Sequence, residues 1–114
     1  MEIPTYDEML AAHARIMPYI RRTPIRTSDY LNELTGAELF FKCENFQKVG
    51  AFKARGAVNT VLSLSKEEAA GGVITHSSGN HAAALAYAAG IRKIPCTVVM
   101  PDDAPAVKVT AVRG

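Results

Sequence analysis

The stretch Gly72–Pro101, GVITHSSGNHAAALAYAAGIRKIPCTVVMP, decides the fold class. Its opening "GVITHSS" is a short apolar run ending in a polar turn, which predicts a buried strand. "GNHAAALAYAAG" then predicts a helix closed by Gly90, because alanine and leucine favour helix and glycine commonly ends one. "IPCTVVMP" reads as a second strand, and "APAVKVTAVRG" begins a further helix. Strand, helix, strand, helix at this spacing is the βαβ pattern of a parallel sheet, so the expected class is α/β.

On the N-terminal side the signals are local. In "TYDE", Thr5 as N-cap with Glu8 three residues later is a capping box. Tyr6, Met9, Leu10, His13, Ile16 and Met17 then recur at helical spacing until Pro18. "RRTPIRTS" reads as an extended connection, since a residue before proline avoids the helical region. A short helix is expected from Asp29 to Leu34, closed by Gly36. "AELFFKCE" is the first strand signal, and after the loop "NFQKVGA" a helix is expected from Phe52 to Leu64. Ser65 and Glu68 form a second capping box, on a short helix that Gly71 and Gly72 end. That double glycine is the candidate seam between two parts of the chain.

Composition narrows the function classes. A length of 114 residues suits one domain, and 48% apolar with 21% charged residues is an ordinary globular mix. A formal net charge of +2, with scattered basic residues, argues against nucleic acid or an acidic membrane surface as partner. "MEIPTYDEML" is acidic where a secretory signal would be basic, and no run reaches the length of a membrane span. Cys43 and Cys96 each sit in an apolar setting and read as buried free thiols, so a cytoplasmic protein is expected.

Two segments carry chemistry. "HSSGNH", His76 to His81, lies after a strand and before a helix, where open α/β sheets place ligands. Unpaired N–H groups and the helix dipole there favour a carboxylate or phosphate, and Ser77, Ser78 and Asn80 add donors while Gly79 permits close approach. A serine that merely caps the helix, with packed histidines, satisfies the same pattern. The i, i+5 spacing of His76 and His81 does not put both rings on one helical face for a metal. In "VGAFKARGA", Lys53 follows Phe52 with glycines on both sides. It reads either as a solvated lysine or as one whose amine, once desolvated, becomes nucleophilic. The segment has neither P-loop spacing nor a dinucleotide fingerprint.

"GAFKARGA" followed about two dozen residues later by "THSSGNHAAALA" resembles the fold-type II pyridoxal-phosphate enzymes, which have the tryptophan synthase β-like fold. Within them the chain is similar to the serine racemase and serine/threonine dehydratase group. The resemblance extends through "RTPIRTSDYLNELTGAELFFKCENFQK" and "IPCTVVMPDDAPAVKVTAVRG". It implies that Lys53 holds pyridoxal 5'-phosphate as a Schiff base and that Phe52 packs on the cofactor. It implies that Asn80 hydrogen-bonds the ring hydroxyl, and that Ser77, Ser78, Gly79, Asn80 and His81 receive the substrate carboxylate. Ser78 corresponds to the serine that faces Lys53 across the substrate in racemases. Lys48 corresponds to a nucleotide-contacting position in members activated by ATP.

The implied activity is a dehydratase acting on L-serine or L-threonine, with serine racemase as the alternative within the class. A catalytically incomplete fragment or assembly module is the alternative of another class. The resemblance also implies a homodimer, with Mg2+ and ATP as activators in the full-length protein. Ala51 stands where many relatives have serine, and Ala82 where many have glycine. Residues 1–72 would be the N-terminal part of a large cofactor domain and residues 73–114 the first part of a small α/β domain. The phosphate-holding glycine loop and any metal ligands are then expected beyond Gly114, with the chain an N-terminal portion.

Overall fold

The computed structural model describes residues 3–113. Helix α1 (Tyr6–Ile16) starts at the expected capping box: the Thr5 hydroxyl accepts from the Glu8 N–H at 3.3 Å, and the Glu8 carboxylate accepts from the Thr5 N–H at 2.7 Å. A single turn of tighter helix, Met17–Tyr19, ends it at Pro18. Ile25–Arg26 (β1) and Phe41–Lys42 (β2) pair antiparallel, Ile25 with Lys42 and Arg26 with Phe41. The sequence predicts a longer strand through "AELFFKCE". Only two residues of it join this ladder, because the partner segment is interrupted by Pro24 on one side and by helix α2 (Asp29–Thr35) on the other. Gly36 closes α2 in the left-handed conformation at φ 67°.

The core lies between α3 (Lys53–Ser63) and α5 (Asn80–Arg92). Ala57, Val58 and Val61 of α3 meet Ala84, Leu85 and Ala88 of α5, with Ile16 from α1 closing the cluster. Small alanines on both faces let the helix axes approach, and full burial of Val58 and Val61 contributes about 1.5–3 kcal/mol each. Between these helices α4 (Lys66–Ala70) is opened by its own capping box on Ser65.

Strands β3 (Val73–His76) and β4 (Cys96–Val99) are parallel, in register Val73–Cys96 to His76–Val99, with α5 as the crossover. The expected βαβ unit is therefore present, followed by α6 (Ala106–Arg113). Three details depart from expectation. β3 is half-buried rather than buried: Val73 and Thr75 turn toward α5, while Ile74 is 72% exposed. Among the described residues this sheet has only two strands and one covered face. Helix α5 also runs past Gly90 to Arg92, and Lys93 takes the left-handed capping position at φ 56°. Packing of Ile91 on the core and bonds from the Arg92 guanidinium to the Val61 and Ser65 carbonyls, 2.7 and 3.1 Å, carry the extra turn. Both cysteines are free thiols, but half-buried rather than buried: Cys96 opens β4, and Cys43 lies just past the two-residue β2. Partial burial pushes the Cys96 thiol up from its usual range. Among the described residues no helix is long and apolar enough to cross a membrane.

Candidate active site

Lys53 is the first residue of α3, and Phe52 precedes it in helical conformation with no side-chain cap. Phe52 is 60% exposed, and the Lys53 Nζ sits 5.2 Å from its ring centroid. Both line an open cleft of about 580 Å³ whose far wall is Val73, Ile74, His81 and Leu85. The structure thus joins the two chemistry-bearing segments: the lysine at the start of one helix and His81 at the start of the other share one cavity.

The rest of the polar turn lies beside that cleft and does not line it. The Ser77 N–H donates to the Val99 carbonyl at 3.1 Å, continuing the β3–β4 ladder. The Ser77 hydroxyl accepts from the Gly79 N–H at 3.2 Å. Ser78 is half-buried, and α5 starts with no side-chain cap, so neither expected serine satisfies its first-turn N–H groups. Those donors are the feature that suits an anion. Asn80 is turned toward α6, its Oδ1 accepting from the Lys108 ammonium at 3.3 Å. Lys48 lies elsewhere, its Nζ 5.9 Å from the centroid of Tyr87, and it is not among the residues lining the Lys53 cleft.

Sequence reasoning missed the scaffold behind Lys53. Gln47 is 2% exposed; its Oε1 accepts from the Arg21 N–H at 2.8 Å and the Lys48 N–H at 2.9 Å, and its Nε2 donates to the Arg21 carbonyl at 2.8 Å. Two residues after Lys53, the Arg55 guanidinium grips Glu44 with both Nε (2.9 Å) and Nη2 (2.8 Å). The buried Thr23 hydroxyl donates to the same carboxylate at 2.5 Å. The Arg55 hydrogen bonds hold the Glu44 carboxyl down at about 2, against the opposing effect of burial. The polar residues of "ENFQ" carry no hydrophobic periodicity, so pattern reading passes over them. Their one available signal was chemical: a glutamine and an arginine flanking a lysine candidate.

The residues of the cleft fit a pyridoxal-phosphate ring. An exposed primary amine stands at its edge, an exposed aromatic face lies beside it, and a helix start with unpaired donors opens nearby. Among the described residues no hydrogen bond or ion pair holds the Lys53 ammonium, and the side chain is exposed rather than desolvated.

Comparison with known proteins agrees. Residues 16–114 match the family model described as pyridoxal-phosphate dependent enzyme. The chain is 70% identical over 113 residues to a beta-hydroxyaspartate dehydratase of Paracoccus denitrificans, covering 99% of this chain and 36% of that protein. It is 53% identical over 114 residues to a serine racemase of Dictyostelium discoideum, covering 100% of this chain and 35% of that one. The structure of maize serine racemase superposes with a TM-score of 0.90 at 53% identity, covering 94% of this chain and 32% of the other. The chain therefore spans about a third of the length of these relatives.

Proposed function

Because the chain belongs to the family of pyridoxal-phosphate-dependent enzymes, we propose that it supplies the cofactor lysine and the substrate loop of a dehydratase for 3-hydroxy amino acids. The net reaction eliminates the β-hydroxyl as water and, after hydrolysis, yields a 2-oxo acid and ammonia. The observation that carries this reading is the shared cleft, in which Lys53 and Phe52 face His81 at the start of α5.

When bound, pyridoxal phosphate supplies an electron sink that acidifies the substrate's Cα–H. The chain's own residues do the rest. Lys53 would hold the cofactor covalently through its Nζ, and as a free amine it would take the substrate's Cα proton. Phe52 packs against the ring and excludes water. The backbone donors of the Ser77–His81 turn hold the substrate carboxylate, and Asn80 serves the ring hydroxyl. In the same reading residues 1–72 are the N-terminal part of a large cofactor domain and residues 73–114 the first part of a small α/β domain, joined through the core that α3 and α5 share. Homodimeric assembly belongs to the same reading, as do a nucleotide contact at Lys48 and activation by Mg2+ and ATP. The free thiols suit a reducing cytoplasm.

For substrate we favour 3-hydroxyaspartate over L-serine and L-threonine, because the dehydratase relative is the more similar of the two curated proteins. Racemisation of serine is the second reading, favoured by Ser78 beside the carboxylate turn and by the racemase relatives. The test is to incubate the natural gene product and pyridoxal phosphate with each amino acid. The 2-oxo acid is followed by hydrazone formation and the D-amino acid by chiral chromatography. We expect 2-oxo acid, formed with the highest kcat/KM from 3-hydroxyaspartate. D-serine as the main product would move the assignment to racemase, and no turnover of any of the three would sink both.

A further inference from the structure

We propose that Arg55, held by Glu44, is a positioning residue that aims Lys53 into the cleft; this rests on the reading of Lys53 as the cofactor lysine. The turn leading to Lys53 is strained. Val49 adopts the left-handed conformation at φ 56°, ψ 17°, which is rare for a β-branched residue, and Gly50 follows at φ 68°. Such a turn persists only when its surroundings over-determine it. Here the buried Gln47 side chain clamps the N-terminal end to Arg21, through the three hydrogen bonds already described.

At the other end α3 begins with no side-chain cap; the Ala54 and Arg55 N–H groups donate to the Ala51 and Phe52 carbonyls at 3.3 and 3.0 Å. The Arg55 side chain ties this first turn to the rest of the fold through two bonds to Glu44 and a longer one of 3.4 Å from Nη2 to the Arg21 carbonyl. Glu44 is itself fixed by Thr23, whose carbonyl accepts from the Lys42 ammonium at 2.7 Å. Arg21–Thr23 is thus the fixed rail to which both ends of the lysine-bearing turn are tied. Arg55 also lines the cleft with Lys53, so the fork that locks the helix start stands beside the amine it orients. A planar fork resists rotation where a single ammonium contact would not.

The experiment uses the natural gene product saturated with pyridoxal phosphate. The readout is the rate at which borohydride traps cofactor on the Lys53 peptide, at a temperature where circular dichroism shows each variant fully folded. Arg55→Lys keeps the charge and loses the fork; Glu44→Gln keeps the shape and loses the charge. Each should slow trapping at least about tenfold, the scale of a misplaced reacting group. Thr23→Val leaves the ion pair intact and should slow it by about threefold, which keeps the test alive should the stronger variants fail to fold. Glu8→Gln, which weakens the remote cap of α1, should lower the melting temperature and leave trapping unchanged. Folded Arg55→Lys, Glu44→Gln and Thr23→Val proteins that trap at the wild-type rate would overturn the inference alone. Absence of trapping in the wild type would overturn the cofactor-lysine reading and the inference with it.

Discussion

Substituting Gly72 by alanine should be among the most damaging small changes in the chain. Gly72 sits at φ +75°, and a Cβ there would lie 2.5 Å from the Pro95 carbonyl oxygen and 2.8 Å from the Pro95 Cβ. That carbonyl accepts the Val73 N–H at 2.9 Å, the bond that starts the β3–β4 ladder, so the clash cannot be relieved without moving the strand pair. The left-handed backbone costs about 1–2 kcal/mol for a residue with a Cβ, and overpacking adds about 1–3, giving roughly 3 kcal/mol in all. With a urea slope of about 2 kcal/mol per molar, the unfolding midpoint falls by about 1.5 M. The neighbouring Gly71 is the internal control. It is right-handed at φ −76°, and a Cβ there would meet nothing within 4 Å, so Gly71→Ala should be neutral or stabilising. Urea denaturation of both variants of the natural gene product, with hydrogen exchange at the Val73–His76 amides, makes the comparison. Equal midpoints for the two variants would show that neither the left-handed backbone nor the Pro95 contact limits position 72.

Other expectations concern charge and helix ends. Because the folded state holds the Glu44 carboxyl near 2 against an ordinary 4.5, its contribution is complete above pH 4.5 and is lost as pH falls toward about 2. Allowing for the pair's partial exposure, that contribution is about 2 kcal/mol; the stability gap between wild type and Glu44→Gln should narrow over this window in pH-dependent denaturation. Arg92→Met keeps the stem of the side chain but strips a donor from the Val61 carbonyl in the last turn of α3 and another from the Ser65 carbonyl that opens α4. It should cost about 1–2 kcal/mol in thermal unfolding, and an unchanged melting temperature would count against that capping role.

What the sequence made legible was local or periodic. Both capping boxes and the glycine stop at Gly36 follow from residues within a few positions of one another, the βαβ unit follows from the alternation of segments, and all are present. Gly90 misleads because tertiary contacts settle the helix end: Ile91 and Arg92 gain more from α3 than the chain gains by stopping. The apolar run of β3 suggests full burial because such a run does not reveal how many faces are covered, and Ile74 lies on the open one. The sequence presents the site as two separate motifs, and only the fold shows that Lys53 and His81 share a cavity. Gln47, Glu44 and Arg55 escape notice because the partners that fix them lie 11 to 34 residues away and are polar, where hydrophobic pattern carries no information.

The role of Lys53 is most directly accessible through borohydride trapping of pyridoxal phosphate on the natural gene product, read by peptide mass spectrometry. We expect one dominant reduced adduct, on the peptide carrying Lys53, and its loss in Lys53→Ala. Adduct spread evenly over Lys42, Lys48, Lys53 and Lys66, or persisting at full yield after Lys53→Ala, would contradict the assignment of Lys53 as the cofactor lysine.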